Sequence, residues 1–249
     1  MLENTQLIIL AAGKGSRMNS DLPKVLLTVN DKPMIEHLFD GVVEGLSIRK
    51  PIVVVGYKSE EVKSYLGERA EYVKQKEQLG TGHAVKVTEG SVDSEIKYIA
   101  ILYGDMPLVS AETIERLAKR HTESEGPVTM ATVKVDDFED WRRCLYGYGR
   151  IMRDDQNEIT SIVEVRDATN EQKNITEVNP SFFFVDRDWL FKNLTALSSD
   201  NNQHEYYLTD IVGLAREQGL KIKSIQINPD EALGANTPDD LKILENIKV

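Results

Sequence analysis

The sequence predicts an α/β domain: a mostly parallel sheet with helices on both faces, followed by a smaller β-rich part. Three observations carry this. Continuous apolar runs at Leu7–Leu10, Ile52–Val55 and Ile99–Leu102 read as strands buried on both faces. Between the first two, Ile35, Leu38, Phe39, Val42, Val43 and Leu46 recur at helical spacing, and a second helix is expected over 59–66 with Ser59 as its N-cap. The order strand, helix, strand, helix demands right-handed crossovers and so parallel strands. The 249 residues allow one large domain or two small ones. We read a single domain over 1–249, with a first part to about 135 and a second from about 136.

Composition narrows the class. Hydrophobic residues make up 41% of the chain and charged residues 29%, ordinary values for a globular protein. The net charge of −11 argues against nucleic-acid backbones and anionic membranes as main partners, though it leaves room for a small anionic ligand at a locally basic site. The lone cysteine, Cys144, permits no intrachain disulfide, so a reducing compartment is expected. The opening MLENTQ lacks a basic leader, and no apolar run nears the ~18 residues that span a bilayer. A cytoplasmic protein is the expectation.

The chemistry gathers at LIILAAGKGSRMNSDLPK, residues 7–24. After the strand, Ala11, Ala12, Gly13 and Gly15 remove side chains where the chain turns, so backbone N–H groups can converge on an anion. Lys14, Arg17 and Lys24 add positive charge. Ligands of open α/β sheets bind at the carboxyl ends of strands, so a phosphate-bearing ligand is expected at 11–24. Taken alone, the loop is equally a tight turn with solvated basic residues. It is neither GxxxxGK[ST] nor GxGxxG, since Met18 stands at the third glycine position. Gly56-Tyr57-Lys58 after the second strand also lacks the acidic residue of a dinucleotide oxidoreductase.

Four further segments stand out. In EQLGTGHA, Gln75 and Gln78 lie near a Gly80-Thr81-Gly82 turn that opens a helix, a second cradle for a ligand edge. Gln75 and Gln78 could also be solvated amides, and His83 reads as structural. In LYGDMPL, Asp105 lies just past a buried strand, where it can offer oxygen to a hard cation or merely cap a turn. Ser110 should cap the helix that follows, with Ile114, Leu117 and Ala118 facing inward. In the second part, GYGRI (147–151) and Glu164 precede Asn179-Pro180-Ser181 and the core-forming run Phe182–Phe184. Near the end, Asn236 precedes Thr237-Pro238-Asp239-Asp240, a strong helix start.

Together LAAGKGSRM, DLPK, EQLGTGHA, LYGDMPL, GYGRI and EYYLTD resemble the sugar-nucleotide pyrophosphorylases, and in particular the bacterial N-acetylglucosamine-1-phosphate uridyltransferase domain. The likeness covers about Leu7 to Leu241. It implies a Rossmann-like sheet of the nucleotide-diphospho-sugar transferase type. It also implies nucleotidyl transfer from a nucleoside triphosphate, UTP first, to a sugar 1-phosphate, N-acetylglucosamine 1-phosphate first. By resemblance Leu10, Ala11, Ala12, Gly13, Lys24, Gln75, Gly80 and Thr81 would bind the nucleotide. Arg17 and Lys24 would be catalytic, and Tyr103, Gly149, Glu164 and Asn179 would face the sugar. Asp105 and Asn236 would hold Mg²⁺. EYYLTD, with Glu205, Tyr206 and Asp210 at a helix start, is read as mainly structural.

Two departures from the family stand out. The segment 136–146 is longer than expected, and Pro180-Ser181 replaces Thr-Gly after Asn179. The second keeps open another sugar or alcohol phosphate, with CTP as donor. A non-catalytic nucleotide-sugar sensor is the rival of a different class; the pair Asp105 and Asn236 speaks against it. The family's C-terminal acetyltransferase β-helix is not expected here, and the sequence is silent on oligomeric state.

Overall fold

The computed structural model describes residues 2–46, 48–123 and 125–247. The expected first strand is β1 (Thr5–Ala11), with every residue buried. Alternation sends Leu7, Ile9 and Ala11 into one apolar cluster and Ile8 and Leu10 into another. That division is why the run shows no polar face.

A hairpin of β2 (Thr28–Val29) and β3 (Lys32–Pro33) follows, turned by Asn30 and Asp31, both at positive φ. The expected first helix is α1 (Met34–Leu38), which continues as a π-helical turn over Phe39–Val43. There Glu44 N–H donates to Phe39 O, five residues back. β4 (Ile52–Val55) leads to α2 (Ser59–Leu66). The N-cap of α2 is Lys58 at φ 45, not Ser59 as expected. The sharp reversal after Gly56 starts the helix one residue early, and Ser59 Oγ donates instead to Glu60.

The first part is completed by β5 (Glu71–Lys74), α3 (Thr81–Lys86), β6 (Tyr98–Tyr103), α4 (Ala111–Thr122) and β7 (Val128–Lys134). Ser110 caps α4 as expected, its Oγ accepting from Thr113 N–H at 3.2 Å. The second part runs β8 (Gly149–Arg153), β9 (Ile159–Val163), α5 (Asn170–Lys173), β10 (Glu177–Asn179), β11 (Phe183–Asp186), α6 (Arg187–Asn193), α7 (Asp210–Glu217), β12 (Ile222–Gln226) and α8 (Pro238–Asn246).

Among the described residues the main sheet has ten strands, in the order β5-β4-β1-β6-β11-β7-β10-β8-β9, with β12 also paired to β7. β1, β4, β5, β6, β7, β8 and β12 run one way, and β9, β10 and β11 the other. The sheet is thus mostly parallel in strand direction, seven of the ten strands running one way, and every antiparallel pairing within it involves β9, β10 or β11. β11 lies between β6 and β7, so both parts of the chain build one sheet.

Helices cover both faces. α1, α2 and α4 bury Leu38, Val62 and Leu117 against one face; α3, α6 and α7 bury Val85, Leu190 and Ile211 against the other. The long segment 136–146 folds partly as a 3-10 helix over Asp140–Leu145. It is anchored by Arg150, wholly buried, whose guanidinium stacks on Phe138 and Tyr146 and donates to the carbonyls of Tyr148 and Lys173. Among the described residues no helix is long and apolar enough to cross a membrane.

Phe182, Phe183 and Phe184 are all core, as expected, each at most 1% exposed. Phe184 lies against the rings of Tyr98 and His121, 5.5 and 5.1 Å between centroids. Phe184→Ala should therefore cost about 3–5 kcal/mol, the range for an aromatic truncated in a close-packed core. The urea midpoint measures it, and a loss under about 1 kcal/mol would show that this seam is loosely packed.

Candidate active site

Beyond the carboxyl ends of β1 and β6 lies a cleft of about 480 Å³. Its floor is the glycine loop. Ala11 and Ala12 are buried, and Leu10 and Gly13 join them in the lining. Gly15 sits at φ 64, and a Cβ there would come within 2.8 Å of Lys24 Cβ. Only glycine permits both that backbone conformation and the passage of the Lys24 stem beneath the loop. Lys14 leans away, its ammonium 5.5 Å from the centre of the Tyr57 ring.

One wall is the turn between β5 and α3. Gln75, 4% exposed, donates its amide N–H groups to Gly80 O at 3.1 Å and His83 Nδ1 at 3.0 Å. Gln78 donates to Ala12 O at 2.8 Å, tying this wall to the floor. Gly80 has φ 110, and a Cβ there would lie 2.6 Å from Tyr206 O. Thr81 Oγ1 accepts from Leu208 N–H, and Tyr206 O accepts from Gly82 N–H. The segment 205–208 therefore clamps this wall from outside.

The opposite side holds the charges. Lys24 Nζ forms an ion pair with Asp105 Oδ2 and donates to Asn236 Oδ1 at 2.7 Å. Arg17 approaches the same Asn236 oxygen at 3.4 Å. Asn236 is set by the start of α8: its N–H and that of Thr237 both donate to Asp240 Oδ2 at 2.8 Å, while Thr237 Oγ1 accepts from Asp240 N–H. This capping box satisfies helix-end donors and fixes the amide just outside the helix. The loop cation and two oxygens more than a hundred residues apart in sequence thus meet at one point. Among the described residues there is no group of three or more His, Cys, Asp or Glu arranged for a metal ion.

Behind the cleft lies a second group. Tyr103 lines the cleft at the end of β6, close to Thr81 and Ser181, its phenol pushed up by burial. Ser181, at φ 64, engages both ends of the Asn179 amide: its N–H donates to Oδ1 at 2.9 Å, and Nδ2 donates to its Oγ at 3.1 Å. Asn179 lies in register with Gly149 across β10 and β8. A Cβ on Gly149 would come 3.3 Å from Glu164 Oε1. That oxygen accepts from Thr209 Oγ1, and burial raises the Glu164 carboxyl above the usual carboxylate range.

The matching family model describes a MobA-like NTP transferase domain and spans residues 7–207. The chain belongs to the MobA-like NTP transferase family. Among curated relatives it is 40% identical over 230 residues to the Bifunctional protein GlmU of Bacillus licheniformis, covering 92% of this chain and 49% of that protein. To the Bifunctional protein GlmU of Streptococcus agalactiae it is 37% identical over 241 residues, 96% of this chain and 51% of that protein. The chain thus spans about half the length of the curated relatives it matches. Two solved structures share the fold. A UDP-glucose pyrophosphorylase complexed with UDP-glucose superposes with TM-score 0.75 at 19% identity, covering 99% and 98% of the two chains. An inositol-1-phosphate CTP transferase from T. maritima gives 0.72 at 17% identity, covering 99% and 97%.

In this MobA-like domain the predicted residues fall into two sets. Leu10, Ala11, Ala12, Gly13, Arg17, Lys24, Gln75, Gly80, Thr81, Tyr103 and Asp105 line the cleft, and Asn236 touches it through Lys24 and Arg17. Gly149, Glu164 and Asn179 lie outside that lining, in the group behind Tyr103. Glu205 is corrected: α7 begins only at Asp210, and Glu205 lies in the preceding loop, lining the cleft. Arg166 and Gln203 also line it and escaped the sequence reading. Both sit in loops without periodicity, and the available signal was a single basic residue two positions after Glu164.

Thr237→Ala should cost about 1 kcal/mol through the lost cap. It should also weaken binding of any ligand that needs Asn236 in place. Paired denaturation and binding titrations check this, and an unchanged midpoint would show that the cap is dispensable.

Asp210, partly buried near Asp167, has its carboxyl pushed up to about 6 by burial first and that neighbour second. The folded protein then holds this proton more tightly than the unfolded chain, so stability falls as pH rises from about 4 through 6. Asp210→Asn should stabilise more at pH 7 than at pH 4.5 in urea titrations. An equal effect at both would mean the carboxylate is well solvated.

Proposed function

We propose that this chain transfers a nucleotidyl group, uridylyl first, from a nucleoside triphosphate to a sugar 1-phosphate, N-acetylglucosamine 1-phosphate first. The observation that carries this reading is the meeting of Lys24, Asp105 and Asn236 beneath the glycine loop. Membership of the MobA-like family and the length of the match to GlmU proteins support it.

The balance is simple. A phosphate oxygen of the sugar phosphate forms a bond to the α-phosphorus. The bond to the bridging oxygen of pyrophosphate breaks, and that oxygen leaves with the electron pair. No general base is required, because a phosphate monoester is largely ionised near neutral pH. The difficulty is bringing two anions together in line, so the protein contributes position and charge. Backbone N–H groups of 13–17 and the Arg17 guanidinium take the β- and γ-phosphates. Lys24 takes the acceptor phosphate or the α-phosphate. Gln75, by holding the Gly80 turn, shapes the edge that meets the base, and Tyr103 separates the nucleotide side from the sugar side.

Asp105 and Asn236 fit Mg²⁺. A carboxylate and an amide carbonyl are hard oxygen donors, and in this structure they already share one cation, the Lys24 ammonium. When bound there, Mg²⁺ would supply charge neutralisation between the two anionic substrates.

One observation favours a second acceptor class. Ser181 takes one donor and one acceptor position of the Asn179 amide, which leaves one of each to meet a sugar. That smaller set supports another sugar or alcohol phosphate, with CTP as donor, as the alternative pair.

Pyrophosphate release over a grid of triphosphates and sugar or alcohol phosphates, with and without Mg²⁺, tests the reading. Asp105→Ala and Lys24→Ala should each lower turnover by ~10²-fold or more, the scale of one preorganised charge contact. Gln75→Ala should narrow the preference for one triphosphate over the rest. Near-normal turnover in both charge variants would remove the mechanism, and unchanged selectivity in the third would reassign Gln75.

A further inference from the structure

We propose that Lys24 is an internal counter-cation that holds Asp105 and Asn236 against a divalent ion until a phosphate draws it away. Metal loading would then be coupled to nucleotide binding. The inference rests on the nucleotidyltransferase reading of this site and adds a second role for a residue of its loop.

The geometry is specific. The Lys24 ammonium contacts both oxygens at once, and the two side chains of the ion pair are only 12% and 19% exposed. Arg17 reaches only the Asn236 oxygen, from the exposed side at 3.4 Å; an ammonium and a divalent ion cannot both fill the gap between the two oxygens, because like charges repel most strongly at short range and low dielectric. A divalent ion reaching these oxygens must therefore displace the ammonium. Lysine suits that exchange: its charge is compact and its four-carbon stem flexible. The stem passes under Gly15, whose missing Cβ leaves room for it. From there the ammonium lies beside the loop that would take phosphates. A phosphate that binds Lys24 frees the two oxygens, and a metal that binds the oxygens frees Lys24 for phosphate. Each ligand must then raise affinity for the other by the same factor.

Lys14 supplies the control. It lines the same cleft, but its ammonium lies over Tyr57 and not between the oxygens. A general effect of removing positive charge would appear equally at Lys14 and Lys24; a displacement effect would appear only at Lys24.

The test is Mn²⁺ binding to the nucleotide-free protein, followed by electron paramagnetic resonance of the free ion. Lys24→Met should bind one Mn²⁺ about tenfold or more tightly than the unsubstituted protein, within the usual range for two coupled ligands. Adding Asp105→Asn to it should abolish the gain. Lys24→Arg, which keeps a cation, and Lys14→Met should each stay within about twofold of the unsubstituted protein, well short of that coupling. Circular dichroism establishes folding of each variant, and Lys24→Gln replaces Lys24→Met if the latter does not fold. No gain in the neutral Lys24 variant, or an equal gain in Lys14→Met, overturns the proposal. Metal-dependent pyrophosphate release alongside a failed Mn²⁺ test would leave the transferase reading standing. Absence of release with every substrate pair would sink that reading whatever the Mn²⁺ titration gives.

Discussion

One lysine ammonium shared between a carboxylate and an amide organises the site. It ties together the loop after β1, the end of β6 and the residue before α8, three places joined by no short stretch of chain. Each is held independently: the loop by its glycines, Asp105 by the buried strand preceding it, Asn236 by a capping box. The convergence is thus a product of the sheet and of one helix end. It also resolves the conflict between a net charge of −11 and an anionic ligand, since the basic residues are concentrated where the chain turns out of the sheet.

The sheet accounts for the second group of residues. Because β11 inserts between β6 and β7, Ser181 comes within reach of Tyr103, while β10 sets Asn179 opposite Gly149. Tyr103 thus stands with Thr81 on one side and the hydrogen-bonded pair Ser181 and Asn179 on the other. β11, which begins just after Ser181, carries Phe183 and Phe184, so this polar group is backed by close-packed aromatic core.

Much of this was legible beforehand because the signals were local. Apolar runs marked β1, β4 and β6, and Ser110 and Thr237 marked two helix starts. Ser59 misled because its cap role depends on where the chain reverses, and Lys58 at positive φ moved that point. Glu205 misled because a helix-like pattern in 205–217 hid an extended clamp on Gly80, a contact made across the molecule. Arg166 and Gln203 had no pattern at all; only loop placement brings them to the cleft.

By itself, then, the sequence determined the α/β class, the strand-and-loop cradle, and the identity of the charged groups able to meet there. Those follow from periodicity, backbone sterics and side-chain chemistry, which act over a few residues. The tertiary structure alone decided that Lys24 lies between Asp105 and Asn236, that Ser181 takes both ends of the Asn179 amide, and that Gly149, Glu164 and Asn179 stand behind Tyr103. These depend on strand order and on which loops share an edge of the sheet, and side-chain pairing across such an edge is written in no single stretch of the chain.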